Sequence, residues 1–521
     1  MERDTMITLM RNQPEGYDFI VIGGGATGIG IALEAVASGY KTLLVEKSDF
    51  TKSTSSKSTK LVHGGVRYLA QGDIALVREA CVERGRLLKN APHLVKNQSF
   101  IIPTKGFFDE IMYTVGLTFY DLLAGKYSLG RSLYISKRKA LRRIPTLNPK
   151  KLSAGVVYHD GQFDDSRLAV NVLQTAVEKG AHVINYMQVN GLLKDNSGKI
   201  NGVHLMDMET NEKFTVKGKA IINATGVFAD EIMQMDKPEM KKIIRPSQGV
   251  HIVLDKEFLP GNDAIMIPKT DDGRVLFAVP WHNRVVVGTT DTPLEIPSLE
   301  PVALEEEINF ILNTTGRYLT KAPSRKDVLS IFAGLRPLAA PKGDSKKTKE
   351  ISRSHKIYVS DSDLFTMIGG KWTTFRRMAE DMLKKVEATK SWKRIPSKTR
   401  TLKIHGYMKK VDLTDPLYFY GTDREQLLKI STTEPGLKGL ISEKLNLHKV
   451  QVIWAVRNEM ARTVEDVLSR RTRCLLLDSR ESVRIAPEVA QLMARELNQD
   501  KAWEEVQVQN FEAVAENYML N

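Results

Sequence analysis

Residues Tyr17 to Glu46 read YDFIVIGGGATGIGIALEAVASGYKTLLVE. The apolar run Tyr17 to Ile22 predicts a strand, GGGATG a tight turn, IGIALEAVASG a helix by the spacing of its apolar residues, and KTLLV a second strand. Strand, turn, helix and strand in this order predict a parallel α/β unit, with Gly39 closing the helix as an αL cap. Inside the turn, Gly23-x-Gly25-x-x-Gly28 sits between strand and helix, and Glu46 ends the next strand. Gly23 permits the turn, Gly25 leaves room for a pyrophosphate, and Gly28 lets the helix pack closely. The helix N-terminus offers N–H groups to phosphate, while an acidic residue at Glu46 accepts bonds from ribose hydroxyls and repels a 2′-phosphate. A lone glycine motif is often only a tight junction; with both flanks and Glu46 in place it predicts dinucleotide binding.

Two further glycine tracts indicate which dinucleotide. Ala224-Thr225-Gly226 follows the apolar run Ala220 to Asn223, and Gly369-Gly370 opens a helix late in the chain. Backbone contacts converging from distant segments suit a long, extended FAD better than NAD, although each one alone is an ordinary turn.

Around this unit the chain is organised in blocks. Ser48 to Lys60 is a hydroxyl-rich loop placed where a long loop needs a functional reason. Residues 74–90 look helical, residues 180–223 alternate like a small sheet with hairpin turns, and residues 243–288 hold several strands of a mixed or antiparallel sheet. Leu364 onward reads strand, double-glycine turn and amphipathic helix; a polar linker after Thr389 leads into a helix-forming region from Asp423. The predicted architecture is α/β: a Rossmann-like FAD-binding domain in three parts (16–105, 156–242, 346–389), a cap segment (106–155), an inserted mixed-sheet substrate domain (243–345) and a C-terminal helical domain (390–521).

Composition bounds the function. The 521 residues are 42% hydrophobic and 26% charged, which excludes a mainly disordered chain. Lys plus Arg number 76 against 62 Asp plus Glu, a net charge of +14 that favours anionic partners: nucleic acid, an acidic lipid surface or a phosphorylated metabolite. The two cysteines, Cys81 and Cys474, stand far apart, so a disulfide framework, thiolate metal site or iron–sulfur cluster is not expected, and a reducing compartment is. No metal cluster is predicted. The N-terminal residues do not read as a secretory signal and no apolar stretch is long enough to span a bilayer, so any membrane contact is expected to be peripheral.

From Thr54 to Tyr68 (TSSKSTKLVHGGVRY), and again at RPSQGVHIVL, VVVGTTDTP, FAGLRPL, MIGGKWTTFRRMAE and EMARTVEDVLSRRTRCLLLD, the sequence resembles the FAD-dependent glycerol-3-phosphate dehydrogenases of the D-amino-acid-oxidase-like superfamily. The tracts run in order along nearly the whole chain. The resemblance implies non-covalent FAD and oxidation of sn-glycerol 3-phosphate to dihydroxyacetone phosphate in glycerol catabolism. It also implies reoxidation by a membrane quinone, a homodimer, and a cytoplasmic enzyme held peripherally at the inner face of the plasma membrane. Soluble oxidases of the family carry a longer insertion for which this chain shows no obvious room.

The resemblance also assigns residues. Arg67, Arg336 and Lys371 lie in motifs used around substrate, with Ser58 beside them; Arg offers phosphate a planar fork and Lys a compact charge. His251 is the expected base, and Arg336 is grouped with it as catalytic; His63, in the HGG turn, is the rival or shapes the loop near the flavin. Cofactor contacts are expected at the three fingerprint glycines, Glu46 and Lys47, at Ser55, Ser56, Ser58 and Lys60, at Ala224, Thr225 and Gly226, at Gly334, and at Gly370, Lys371, Trp372 and Thr373. Lys371 to Thr373, at a helix N-terminus, would face the flavin pyrimidine. Lys57 and Trp372 depart from the smaller residues common at those positions, which leaves fine substrate preference open.

Phe107 to Gly125 is aromatic and apolar, and is followed by Lys126, Arg131, Lys137, Arg138, Lys139, Arg142, Arg143, Lys150 and Lys151 with no acidic residue between them. An apolar ledge beside a basic field suits an anionic leaflet; the alternative is a buried helix capping the substrate domain. Two other functions compete. An amine- or amino-acid-oxidising flavoprotein would share the fold but bind a carboxylate, which a substrate assay separates. An FAD-dependent RNA-binding or RNA-modifying protein rests only on the positive charge, and no aromatic-plus-basic RNA module supports it; no nucleic-acid partner is expected.

Overall fold

The computed structural model describes residues 1–69, 72–270, 273–339 and 355–520, apart from the side chain of Arg67. The expected boundary at 345/346 lies outside the described residues.

Two sheets carry the site. The first runs in the order Lys356–Val359, Leu364–Ile368, Lys213–Asn223, Tyr17–Ile22, Thr42–Val45, His182–Ile184. Its central strands are parallel, with Val21 opposite both Ile222 and Leu44. Tyr17–Ile22 and Thr42–Val45 are nearly continuous apolar runs because this sheet is covered on both faces. The glycine turn leads into the helix Ala26–Ala37, which packs against Asp165–Glu178 and Phe375–Thr389. Met187–Lys194, Ile200–Asp207 and Lys213–Asn223 form the antiparallel meander expected between residues 180 and 223.

The second, ten-stranded sheet is mixed. Ile244–Asp255 pairs antiparallel with Arg284–Gly288 and Val328–Ala339, while Ala264–Ile267 pairs parallel with Val95–Thr104. Val95–Thr104 and Ala154–Phe163 were expected to flank the cap as parts of the FAD-binding domain. They pair with each other over their full length inside the second sheet. The substrate sheet is therefore assembled from three separated stretches of chain. Alternating burial marks a strand but says nothing of its partner, so those boundaries were placed by sequence proximity alone.

The C-terminal region is helical as expected, with Arg424–Thr433, Lys449–Glu459, Ser479–Leu497 and Lys501–Ala515 as its main helices. Its apolar core takes in Val253, Trp281, Val286 and Phe332, so it rests on one face of the second sheet. A π-helical turn at Asp466–Arg471 brings Arg470 and Arg471 onto Asp49, just past Glu46 in the first domain. Cys81 and Cys474 are free and buried. Among the described residues, no helix is long and apolar enough to cross a membrane.

Candidate active site

A cleft of about 1250 Å³ opens at the C-terminal ends of the first sheet's parallel strands, where ligands bind in open α/β sheets. Gly23 (φ +108°) makes the turn with its Cα against the Ala224 carbonyl, a position where any Cβ would collide. Glu46 accepts the Gly24 N–H (2.7 Å) and the Ser48 N–H (2.9 Å), one on each carboxylate oxygen. A carboxylate has about four lone-pair sites, so capacity remains for ribose hydroxyls. Burial raises the Glu46 pKa, and the two backbone N–H groups oppose that shift. Lys47 stands at the rim with its ammonium 4.7 Å from the centre of the Phe228 ring. Ser55 closes the floor: its Oγ accepts the Ala26 N–H at the helix N-terminus (2.9 Å), and its carbonyl accepts the Trp372 indole N–H (2.8 Å). Ala224, Thr225 and Gly226 form the opposite wall. The glycine turn, the helix N-terminus and the acidic strand end make a cradle that fits a dinucleotide.

Thr54, Pro337, Gly369, Gly370, Lys371 and Trp372 line both this cleft and a second compartment. That compartment in turn shares Thr59, Leu61, His63, Tyr68, Phe277 and Arg336 with a third. The three form one path from Glu46 to the second sheet.

Arg336 and His251 come from paired strands, with Ser247 opposite Arg336 and His251 opposite Phe332. The Arg336 guanidinium donates to the carbonyls of Gln248 (3.1 Å) and Thr290 (3.0 Å) and to Thr289 Oγ1 (3.1 Å), and it lies 3.3 Å from an Asp291 oxygen. Gly249 lies beneath it, and a Cβ there would meet both Arg336 and Thr289, so the glycine lets the guanidinium lie across the strand. His251 is 3% exposed and stacks on Phe332 with centroids 4.9 Å apart. Its Nε2 is 2.9 Å from Thr59 Oγ1. Burial first, then the charges of Arg336 and Lys60, hold its pKa well below the usual 6.5, so the imidazole is neutral at rest. The Lys371 ammonium lies 3.7 Å from the centre of the Tyr68 ring. His63 lines the two inner compartments and donates its backbone N–H to Thr373 Oγ1 (3.1 Å). A neutral imidazole thus lines one compartment together with two cations, Arg336 and Lys371, an arrangement able to bind a small anion and accept a proton from it.

Several expected contacts take other roles. Lys60 is fully buried and lines none of the three compartments; its ammonium bonds both oxygens of Asp165 (2.9 and 2.8 Å) and the Ser56 carbonyl (2.7 Å). A lysine at zero exposure must pair with a carboxylate. Ser56 turns its hydroxyl to the Thr51 carbonyl (2.8 Å). Ser58 lines the second compartment, yet donates its hydroxyl to Asp165 (2.7 Å). Gly334 stands where a Cβ would press on the Lys57 carbonyl, so its smallness serves the loop crossing over it. Lys57 pairs with Glu300 (2.6 Å), which also accepts from Tyr518 (2.9 Å). Arg67 falls in the helix Val66–Leu69, and its side chain lies outside the described residues. The sequence reading missed Thr59, Tyr68, Thr289, Asp291 and Asp165. All five act through partners far away in the chain, for which the linear pattern carries no signal.

The family described as FAD dependent oxidoreductase matches residues 18–369, and that described as the C-terminal domain of alpha-glycerophosphate oxidase matches residues 363–504. The chain is 38% identical to the mitochondrial glycerol-3-phosphate dehydrogenase of Bos taurus, over 97% of this chain and 74% of that protein. It is 34% identical to the mitochondrial glycerol-3-phosphate dehydrogenase of Schizosaccharomyces pombe, over 95% of this chain and 87% of the other. The crystal structure of a glycerol-3-phosphate dehydrogenase from Bacillus halodurans complexed with FAD superposes with a TM-score of 0.80 at 27% identity, covering 99% of this chain and 97% of that one. L-proline dehydrogenase from P. horikoshii shares the fold at 18% identity and a TM-score of 0.53, covering 74% of this chain and 96% of that one.

Proposed function

Because the chain belongs to the FAD dependent oxidoreductase family, together with the glycerol-3-phosphate dehydrogenases, we propose that it oxidises sn-glycerol 3-phosphate to dihydroxyacetone phosphate and passes the electrons to a membrane quinone. The observation that carries this reading is the placement of Arg336, Lys371 and neutral His251 around one compartment continuous with the dinucleotide cradle.

FAD supplies the two-electron acceptor, held by the cleft between Glu46 and Trp372. The chain's own residues do the rest. Arg336, whose terminal N–H groups are held by four protein acceptors, sets a fixed positive charge beside the phosphate, and Lys371 adds a point charge; a charge-assisted bond contributes about 1.5 to 3 kcal/mol when well placed. Neutral His251 takes the proton of the secondary alcohol as its C–H is oxidised, and Trp372 and Phe277 line the compartment beside it.

The quinone and the membrane are finer parts of the same proposal. The helix Phe107–Ala124 leaves Phe107 68%, Phe108 88% and Leu122 72% exposed, and Lys126, Arg131, Lys137, Arg138, Lys139 and Arg142 are exposed beside it. Arg143 is withdrawn from this field by pairing with Asp263. An apolar ledge rimmed by cations supports docking on an anionic leaflet, with a cytoplasmic enzyme at the inner face of the plasma membrane. A homodimer rests on the family resemblance alone.

The test is anaerobic mixing of the yellow protein with glycerol 3-phosphate. Loss of the oxidised-flavin absorbance is expected; unchanged absorbance overturns the reading.

A further inference from the structure

We propose that the hydroxyl of Thr59 is the group that meets the substrate's secondary alcohol and relays its proton to His251. This rests on the reading of the site given above.

His251 has only one nitrogen available for the task. Nδ1 is buried and has no hydrogen-bond partner among the described residues. The ring has little room to turn and present it, because Phe332 stacks on it and Gly288 packs so close to it that even a Cβ there would not fit. That leaves Nε2, which makes one in-plane hydrogen bond, and Thr59 Oγ1 occupies it at 2.9 Å. His251 lines one of the two inner compartments but is only 3% exposed, with Nε2 already taken by Thr59, whereas Thr59 is half-buried and lines both. A substrate alcohol approaching His251 therefore reaches the threonine hydroxyl first.

Thr59 is also held for this purpose. On one side, the Ser58 N–H and hydroxyl both bond Asp165 Oδ2, at 3.2 and 2.7 Å. On the other, the buried Lys60 ammonium bonds the same carboxylate, with Lys60 at φ +63°. The loop is clamped to Asp165 on both sides of Thr59, and this fixes where its hydroxyl stands.

The step balances. The proton of the C2 hydroxyl moves to Thr59 Oγ1 while the Thr59 hydroxyl proton moves to His251 Nε2. The C2 hydrogen leaves with its electron pair to oxidised FAD, the alcohol becomes a ketone, and Thr59 ends unchanged. The charged groups facing the imidazole are Arg336 on the adjacent strand and Lys60 on the loop, both cationic, so His251 readily returns the proton by the same route.

The experiment compares FAD-loaded wild type with Thr59→Val, which keeps the shape without the hydroxyl, and with Thr59→Ser. Anaerobic flavin reduction by glycerol 3-phosphate is followed across pH, and the ring ¹⁵N shifts of His251 are read in the resting protein. The relay predicts that Thr59→Val retains FAD but reduces it on the order of 10²-fold more slowly, with Thr59→Ser within about tenfold of wild type. It further predicts a resting tautomer with the proton on Nδ1 and Nε2 accepting. Wild type that bleaches beside an equally fast Thr59→Val overturns the relay alone, as does an Nε2-protonated tautomer. Serine as slow as valine marks a packing role and also overturns it. Wild type that keeps its colour overturns the functional reading and the relay with it.

Discussion

Arg336 lies at the junction of the two inner compartments, and its guanidinium is already oriented by four neighbours before any substrate arrives. Arg336→Ala should keep the flavin absorbance yet lower kcat/KM for glycerol 3-phosphate by about 10²-fold or more, the equivalent of one or two charge-assisted bonds. Arg336→Lys should recover only part of this, because a lysine ammonium cannot make the four bonds that hold the charge in place. A second residue, remote from the cleft, contributes to acid stability. His93 is 1% exposed, and burial, then the charge of Arg167, press its pKa down to about 4. Between pH 6.5 and 4 the unfolded chain binds the extra proton and the folded one does not, so stability is lost as pH falls through that window, on the order of 3 kcal/mol in full. Urea titrations at pH 7, 5.5 and 4.5 should show that decline, and His93→Gln should make it shallower, the remainder coming from other buried histidines such as His251. At this scale the sequence was legible where structure is local: Gly23 makes the tight turn and Glu46 ends the second strand, as their positions in the strand–turn–helix unit suggest. It was opaque in the run Ser56 to Lys60, where hydroxyls and ammonium groups look alike until Asp165 shows which are consumed by the clamp.

At the level of elements, the nucleotide unit from Tyr17 to Glu46 was readable because its strand, turn and helix are contiguous and each has its own period. The second sheet was readable only in pieces. Val95–Thr104 and Ala154–Phe163 join it by pairings that no local pattern encodes. The helix Phe107–Ala124 was visible as apolar, but whether its outer face is covered depends on the tertiary fold, and Phe108 and Leu122 are left bare. If that face docks on lipid, replacing Arg138, Lys139 and Arg142 by Glu should cut flotation with anionic vesicles, since each cation near such a surface contributes up to about 1 kcal/mol. Binding to neutral vesicles should change little, and undiminished flotation would remove this patch from consideration.

Across the whole molecule, the C-terminal domain reaches back to the cofactor-binding domain through Asp49. Burial pushes the Asp49 carboxyl up, but the guanidinium groups of Arg471 and Arg470 overcome this and hold it below the usual carboxylate range. Without Arg471, Asp49 keeps Arg470 as its cationic partner, so part of the about 3 to 5 kcal/mol cost of breaking a buried pair is expected. Arg471→Met should therefore lower Tm in a thermal melt. Because Asp49 follows Glu46 by a few residues, the variant should also release FAD more readily on dilution. Adding Asp49→Leu should lower Tm further, because buried Arg470 then loses one of its three carboxylate partners.

The two buried thiols turn this architecture into something that can be timed. Burial pushes both Cys81 and Cys474 up to about 11, so each stays protonated and inert towards alkylating reagents at neutral pH. One belongs to the small apolar cluster with Val77, Tyr120 and Ala124, the other to the C-terminal core. Each cysteine can be labelled only in the moments when its own neighbourhood opens. Mass-spectrometric counting of the modified peptides in mild urea would yield two independent opening frequencies from one sample. Identical rates would mean that the domains breathe together; a faster Cys474 would mean that the helical domain detaches first.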